Sequence, residues 1–209
     1  NADRMPAGYG AHASEPTVAL VPGLGSVTAA ANRRDATALS EVAFHTHSVA
    51  AASLDAFGAA SAMSDVDTFD VDYWPMELYK LSLKPPPAAL AGRVFVVTGA
   101  GSGIGRGVAL HLAGLGANLV IADLDGDSAE HVADEAAAIG ADRPLTAVGD
   151  QSDSDVVEST IATTIRHYGG LDGIVANAGI AKAGELHELS VDDWQRVLDV
   201  NLTSAFLLT

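Results

Sequence analysis

The chain has 209 residues, 48% of them apolar and 18% charged, a composition typical of a globular protein rather than a disordered one. Its 27 acidic and 11 basic residues give a formal net charge of -16, which argues against nucleic acid or anionic lipid as a partner. The chain contains no cysteine, so disulfides and thiolate chemistry are excluded.

No membrane span or signal peptide is predicted. The longest apolar runs are short pieces such as VFVV and LVIA, far below the roughly 20 residues that a membrane-spanning helix needs. The first residues, NADRMPAGYG, lack the basic and apolar regions of a signal peptide and lack an initiating methionine, so we interpret them as a cut end. We expect a cytoplasmic protein.

The first third of the chain, residues 1–84, predicts a small and mostly helical unit. Residues 17–25 predict a short strand with a Pro-Gly turn, and the alanine-rich stretch 35–63 predicts a helix. The segment SDVDTFDVDYWPMELYKLSL then predicts acidic caps and a short amphipathic helix. With few large apolar side chains, this unit would be a poor independent domain, so we interpret it as the remnant of a larger one.

Three consecutive prolines from Pro85 predict a spacer over residues 85–92, because proline stops a helix and favours an extended chain. From Arg93 onwards, apolar runs of strand length alternate with amphipathic runs of helix length, a pattern typical of βαβ units. We therefore predict an α/β, Rossmann-like doubly wound parallel sheet for residues 93–209, truncated at its C-terminal end. The predicted strands are 94–98, 118–122, 145–148 and 173–176. The predicted helices are 103–115, 127–139, 153–168 and 190 to the end.

The segment TGAGSGIG follows the first of these strands and opens the first helix, the context in which a glycine pattern indicates a nucleotide site. Gly99 permits a sharp turn, Gly103 lets the backbone approach a diphosphate, and Gly105 lets the helix pack closely on the sheet. Ser102 and Ile104 belong to the same predicted contact surface. The helix start supplies free amides for the phosphates. The alternative is a glycine-rich turn that binds nothing.

Asp123 ends the second strand, 18 residues after Gly105. A carboxylate there can accept hydrogen bonds from the adenosine ribose hydroxyls and would repel a 2′-phosphate, which favours NAD over NADP. Arg106 is not positioned in the sequence to reverse that preference. The alternative is an acidic residue that merely ends a strand before a turn.

The spacing Gly-x-x-x-Gly-x-Gly resembles the short-chain dehydrogenase/reductase family, and further motifs follow in the family's order over residues 93–209. They are Asp123, GDQSD at 149–153, NAG at 177–179 and VNLTSAF around Asn201.

This resemblance implies roles for the residues that match. Asp150 would bond the adenine amino group with Gln151 beside it, and the NAG segment, Asn177, Ala178 and Gly179, would form the floor beneath the nicotinamide-side ribose.

The resemblance assigns Asn201 to the catalytic machinery, where it shapes the active-site helix and helps to hold a water in the proton relay. The alternative is an ordinary polar residue on a helix. The family also needs a tyrosine, a lysine four residues later and a serine, and all three would lie beyond Thr209. We therefore expect residues 1–209 to carry the cofactor site without the full catalytic centre and to be inactive alone.

The segments LVPGLG and FDVDYWPMELYKL, placed before the spacer, resemble the join in bifunctional class II aldolase/short-chain dehydrogenases. This resemblance, which extends to rhamnulose-1-phosphate aldolase/lactaldehyde dehydrogenase fusions, implies an aldolase joined to an NAD-dependent dehydrogenase. Its substrate would be an alcohol or aldehyde such as lactaldehyde, and the full-length protein would form a homo-oligomer. The competing hypothesis is a non-catalytic dinucleotide-binding or sensing module.

The segment FHTHS contains His45 and His47 in the His-x-His form that supplies zinc ligands in class II aldolases. In the predicted helix, however, positions two apart diverge by roughly 200°. His12 is the only upstream candidate for a third ligand. We therefore expect no metal site, with zinc held by this pair as the alternative.

Overall fold

The computed structural model describes residues 16–83, 85–139, 142–185 and 187–209, so His12 lies outside the described residues. These residues form two compact units. One extends to Pro87, and the other comprises Ala88–Thr209 together with Ala31–Arg33. The domain limits inferred from the sequence stay predictions. Within the described ranges, we find no helix with the length and apolar character required to cross a membrane.

The first unit begins with a β-hairpin, of which the sequence predicted only the first strand. Strand β1 (Val18–Val21) pairs antiparallel with β2 (Gly25–Thr28), and the Leu24 amide closes the turn by donating to the Val21 carbonyl at 3.0 Å. The second strand was missed because its sequence, GSVT, contains a single large apolar residue.

Three helices complete the first unit: α1 (Arg33–Phe57), α2 (Asp65–Asp72) and α3 (Pro75–Ser82). The sequence predicted one short helix where α2 and α3 stand. They are separate because Pro75 occupies the first turn of α3, and a residue before proline disfavours helical geometry. Among the described residues of this unit, Ala43 and Leu78 are the buried apolar side chains.

The second unit contains a four-stranded parallel sheet, and it confirms the predicted Rossmann-like α/β class. Its strands are β3 (Val94–Thr98), β4 (Asn118–Asp123), β5 (Leu145–Val148) and β6 (Gly173–Val175). Their spatial order is β5-β4-β3-β6, so the chain changes direction across the sheet after β5 and returns to the other side of β3. A ligand crevice is expected at the carboxyl ends of the strands where the order reverses.

Helices connect and follow these strands: α4 (Gly103–Gly114), α5 (Gly126–Ala138), α6 (Ser154–Tyr168), α7 (Val191–Leu198) and α8 (Ser204–Leu207). The prediction of one continuous helix from residue 190 was wrong in one respect. A π-helical turn, Asp199–Thr203, separates α7 from α8, and the Ser204 amide donates to the Asp199 carbonyl five residues earlier. Such turns are often found at functional sites.

The sheet is covered on both faces, which explains its nearly continuous apolar strands. On one face, Leu119 and Ile121 pack with alanines of α4 and α5 in a buried cluster. On the other face, Val120 and Ala122 belong to a second cluster, with Tyr168 and Ile174 packed against it. Because alternate residues of β4 belong to opposite clusters, the strand is anchored on both sides and its carboxyl end is held in place.

Candidate functional site

The glycine turn joins β3 to α4 at the carboxyl edge of the sheet. Gly99 and Gly103 have φ values of 61° and 53°, a region that side chains rarely occupy. The space in front of Gly103 is open, since among the described residues no atom beyond its own helix backbone and chain neighbours lies within 4 Å of an added Cβ. Gly105 is instead enclosed, since a Cβ there would lie 2.2 Å from the Gly99 carbonyl oxygen. The turn therefore needs glycine at 105 for packing and at 103 for backbone conformation.

Helix α4 begins in this turn without a side-chain cap. Its N-cap residue, Ser102, makes no capping hydrogen bond, whereas Asp125 and Asp153 accept from the first amides of α5 and α6. The free amides at a helix start carry partial positive charge and suit an anionic group such as a phosphate.

Asp123 lies against the glycine turn. Its Oδ2 accepts from the Gly101 amide at 2.7 Å, and its Oδ1 accepts from the Asp125 amide at 3.0 Å. These two bonds fix the carboxylate at the end of β4. Arg106, in the first part of α4, is held by Glu135 through two bonds of 2.7 Å each. The nearby guanidinium is therefore engaged by an acidic partner on α5.

Asp150 follows β5 and is bound on both carboxylate oxygens. Its Oδ1 accepts from the Ser152 hydroxyl at 2.7 Å and from the Ser152 amide at 3.0 Å. Its Oδ2 lies 2.8 Å from Arg196 Nη1, which comes from α7. The Ser152 bonds, reinforced by the Arg196 guanidinium, hold the pKa of the Asp150 carboxyl below its usual range. Asp150 is therefore an ionised group that only accepts hydrogen bonds at neutral pH.

Gln151 is buried beside Asp150, with 5% of its surface exposed. Within the described part of the chain, neither its side-chain oxygen nor its side-chain nitrogen has a hydrogen-bond partner. Leaving a buried amide unpaired costs about 1–3 kcal/mol, so such groups are uncommon in folded proteins and indicate a place where another polar group fits.

The end of β6 is tied to the end of β3 by Asn177 and Thr98. The Asn177 side chain donates to the Thr98 carbonyl at 2.9 Å and to the Gly99 carbonyl at 3.1 Å. The Thr98 hydroxyl oxygen accepts from the Asn177 and Ala178 amides, both at 3.0 Å. These contacts set the NAG segment against the glycine turn.

Asn201 lies in the π-helical turn, and its side-chain amide bonds both backbone polar groups of Ile180. Its Oδ1 accepts from the Ile180 amide at 2.7 Å, and its Nδ2 donates to the Ile180 carbonyl at 2.8 Å. The asparagine thus holds the segment after β6 against the end of α7. Its predicted catalytic role stays a prediction.

Most of the predicted site residues line one cleft of about 410 Å³. All of the predicted cofactor-binding residues except Gly105 line it. They are Gly99, Ser102, Gly103, Ile104, Asp123, Asp150, Gln151, Asn177, Ala178 and Gly179. Gly105 packs behind the turn against Asn177, and Asn201 reaches the lining residue Ile180 through its two bonds. Their roles in binding stay predictions, but the geometry places them around one space of the size that small-molecule sites have.

Sequence reasoning missed Thr98, Ser152 and Arg196. A signal was available for Thr98, a hydroxyl directly before the first glycine, and for Ser152, a hydroxyl two residues after Asp150. No local signal identified Arg196, because its partner Asp150 lies 46 positions earlier. Among the described residues that line the cleft, Arg196 alone carries a positive charge.

The two helix histidines lie outside this cleft. His45 and His47 are on α1, where His45 is exposed and His47 half-buried. Within the described ranges, no group of three or more histidine and carboxylate side chains has the arrangement to hold a metal ion. The expectation that the pair binds no metal stays a prediction.

Comparison with known proteins separates the same two parts of the chain. Residues 93–209 match the sequence profile described as short chain dehydrogenase, and residues 4–81 match the profile described as aldolase class II, second domain. These matches agree with the two resemblances inferred from the motifs.

Individual relatives cover the chain to different extents. A protein of Bacillus subtilis (strain 168) named uncharacterized oxidoreductase YuxG is 33% identical over 199 residues, covering 93% of this chain and 28% of that protein. The (2S)-[(R)-hydroxy(phenyl)methyl]succinyl-CoA dehydrogenase subunit BbsD of Thauera aromatica is 39% identical, covering 57% of this chain and 48% of that protein. The chain thus spans about half, or less, of the length of these curated relatives.

A solved structure shows the same likeness in three dimensions. The short-chain type dehydrogenase/reductase from Mycobacterium marinum superposes with a TM-score of 0.55 at 34% identity, over 57% of this chain and 48% of that one.

Proposed function

The chain belongs to the short-chain dehydrogenase family over residues 93–209, and from that membership we propose that its cleft binds NAD. The family implies a nicotinamide dinucleotide and a small-molecule substrate. We propose further that the full-length protein transfers hydride between the cofactor and an alcohol or aldehyde carbon. When bound, the nicotinamide ring supplies or accepts the hydride, and the protein supplies orientation and electrostatics.

The glycine turn fits a diphosphate for two reasons. The first amides of α4 are not capped by Ser102, and the front of Gly103 is open, so a phosphate can approach the backbone closely. The cleft also has a buried amide without a partner at Gln151, which is consistent with a ligand that brings its own polar groups.

The observation that carries the proposal of NAD rather than NADP is the placement of the Asp123 carboxylate. This carboxylate is fixed against the glycine turn by the Gly101 amide, where an adenosine ribose would present its hydroxyls. A 2′-phosphate there would meet a negative charge. Arg106 does not offset this repulsion, since Glu135 holds its guanidinium.

The other predicted residues would serve the two ends of the cofactor. The ionised Asp150 carboxylate would accept from the adenine amino group, and the NAG segment would lie beneath the nicotinamide-side ribose. Asn201 would act as a positioning residue, because its two bonds to Ile180 shape the cleft wall at the π-helical turn. The tyrosine and lysine that the chemistry needs are not present as a Tyr-x-x-x-Lys pair in residues 1–209, so turnover is proposed for the full-length protein.

The substrate proposal draws on the N-terminal part of the chain. Residues 4–81 match an aldolase domain, and one relative matches 199 residues that extend across both parts. We propose a fusion in which the dehydrogenase acts on a sugar-derived alcohol or aldehyde, such as lactaldehyde. A relative from Sinomonas cyclohexanicum named cis-4-hydroxycyclohexanecarboxylate dehydrogenase, 44% identical over 122 residues, supports chemistry at a CH–OH group. The homo-oligomer and the cytoplasmic location stay predictions.

The test is a calorimetric titration of the full-length protein with NAD and with NADP. We expect NAD to bind at least about tenfold more tightly than NADP. The 2′-phosphate of NADP would replace a hydrogen bond to the Asp123 carboxylate by a repulsion, and the loss of one bond to a charged group lowers affinity by a factor of this order. Asp123→Ser should bring the two affinities to within about threefold, since the repelling charge is gone. Asp127→Asn, at an exposed position at the start of α5, is the matched control and should leave the ratio unchanged.

Two results would overturn the proposal: tighter binding of NADP by the unmodified protein, or binding of neither dinucleotide. Binding of NAD without turnover of any alcohol or aldehyde by the full-length protein would instead favour the non-catalytic sensing module.

A further inference from the structure

The Asp150 carboxylate makes three bonds to other protein groups, more than it would need merely to accept one hydrogen bond from a ligand amino group. A carboxylate has about four lone-pair positions for hydrogen bonds. In Asp150, Oδ1 uses two of them for the Ser152 hydroxyl and amide, and Oδ2 uses one for Arg196 Nη1. About one position is left, and it can take a single N–H donor.

Arg196 joins two elements that are far apart in the chain. The Nη1 atom that pairs with Asp150 also lies 3.3 Å from the Ser152 hydroxyl oxygen. One nitrogen therefore contacts both Asp150 and Ser152 in the β5–α6 loop. The guanidinium comes from the last turn of α7, five residues before Asn201 in the π-helical turn. The ion pair therefore ties the wall of the cleft that carries Asn201 to the loop that carries Asp150.

The remaining lone pair of Asp150 can accept a hydrogen bond but cannot donate one. It would therefore distinguish purines whose exocyclic group donates from purines whose exocyclic group accepts. Adenine carries an exocyclic amino group, which donates, at the position where hypoxanthine and guanine carry a carbonyl oxygen, which accepts. A fixed, ionised carboxylate attracts the first and repels the second. If the carboxylate could rotate freely, it would turn away from a carbonyl and the discrimination would be weaker. The neighbouring Gln151 amide is buried and without a partner, so this part of the cleft is suited to a polar group that the protein does not supply.

We propose that Arg196 is a positioning residue that, with Ser152, fixes the Asp150 carboxylate and thereby makes the cleft selective for a dinucleotide with an amino-bearing purine. This inference rests on the proposed binding of NAD and assigns its base selectivity to a contact between α7 and the β5–α6 loop. Arg196 acts through Asp150 and does not itself need to touch the base.

The test compares NAD with nicotinamide hypoxanthine dinucleotide, which has a carbonyl in place of the purine amino group and a hydrogen on the adjacent ring nitrogen N1. The full-length protein should bind NAD at least about tenfold more tightly, since the substitution removes a charge-assisted bond and leaves two acceptors facing each other. Arg196→Met keeps the length of the side chain but not its charge, and in this variant the affinities for the two dinucleotides should differ by no more than about threefold. Arg196→Lys should restore part of the preference for NAD.

Arg143→Met is the matched control. Arg143 pairs with Glu130 and Asp134 outside the residues that line the cleft, so its loss should leave the ratio of the two affinities unchanged. Ser152→Ala is a second variant that removes the hydroxyl bond to Asp150 and should lower the ratio by a smaller amount than Arg196→Met. Far-UV circular dichroism establishes that each variant is folded.

The outcomes separate this inference from the function on which it rests. If Arg196→Met lowers the affinities for both dinucleotides by the same factor, Arg196 is merely structural and the inference is wrong. If the ratio is unchanged in both Arg196→Met and Ser152→Ala, the inference is also wrong while NAD binding stands. If the unmodified protein binds neither dinucleotide, the proposed function fails and this inference fails with it.

Discussion

The two units of the chain contain similar apolar residues but bury them to very different extents. In β4, Leu119 and Ile121 are 1% and 0% exposed, because helices cover the sheet on both faces. In α1, Phe44 and Phe57 are 74% and 83% exposed, and Ala43 is the buried residue of that helix in the described structure. A parallel sheet encloses apolar side chains from two sides, whereas a helix with apolar residues on several faces encloses none by itself.

This difference also separates the surroundings of two motifs of the chain. One cleft is lined by residues of the glycine turn, Asp123 and Asn177, which stand at or just after the ends of strands of the parallel sheet. His45 and His47 form an equally recognisable pair, but they lie on the exposed helix and gain no further ligand in the described ranges. We expect a motif to bind a ligand where a packed scaffold fixes its partners, and the following predictions test that contrast.

The largest expected effect is on stability. Ile121→Ala would leave a cavity in the core and should lower the free energy of unfolding by about 2–5 kcal/mol. Leu54→Ala, at a position 54% exposed on α1, should change it by less than about 1 kcal/mol. Urea unfolding followed by circular dichroism measures both. Equal losses would mean that the exposed helix is held by packing as tight as that of the sheet.

The next effect contrasts two glycines of one helix. Gly105→Ala would place a Cβ 2.2 Å from the Gly99 carbonyl oxygen, so α4 would have to move away from the turn and NAD affinity should fall at least about tenfold. The added Cβ of Gly107→Ala meets no atom of another described element within 4 Å, and alanine favours a helix over glycine by about 0.5–1 kcal/mol. This variant should keep NAD affinity and raise the melting temperature slightly. Calorimetric titration and thermal unfolding measure the pair, and a tight NAD complex of Gly105→Ala would contradict the packing argument.

A smaller effect concerns an ion pair that joins β6 to β3. Asp172 accepts from Arg93 Nη1 at 2.7 Å and from the Val94 amide at 2.8 Å, and these bonds lower the pKa of its carboxyl. A lowered pKa in the folded state stabilises the protein above the unfolded-state value of about 3.9, and this contribution is lost as the pH falls through the folded value.

Asp172→Asn should therefore lower the melting temperature at pH 7, and the difference from the unmodified protein should shrink as the medium becomes strongly acidic. Glu77→Gln is the control from the first unit. It removes an exposed pair with Lys80 at 3.3 Å and should have little effect, since exposed pairs contribute about 0–1 kcal/mol. A difference for Asp172→Asn that stays constant with pH would show that the carboxyl charge plays no part.

The smallest expected effect is on metal content. Replacing both His45 and His47 by asparagine should not change the zinc content of the purified full-length protein measured by mass spectrometry, because on a helix these side chains point in directions roughly 200° apart. Loss of one equivalent of zinc in the double variant would show that the pair does hold a metal ion.

Much of the second unit could be predicted because its signals are local. Each strand is a run of apolar residues, and each of α5 and α6 follows an aspartate that caps its first amides. The predicted strand and helix limits differ from the observed ones by one residue at most, up to the end of β6. The prediction was poorer for β2, which has little apolar character, and for the π-helical turn within the last predicted helix.

By itself, the sequence determined the glycine turn, the acidic end of β4 and the βαβ order, because steric freedom, charge and apolar periodicity are properties of neighbouring residues. Only the tertiary structure decided that Arg196 meets Asp150, that Asn177 meets Thr98 and that Asn201 meets Ile180. These contacts join residues 21 to 79 positions apart. They exist because the strand order brings separate loops to one edge of the sheet, an arrangement that no local pattern encodes.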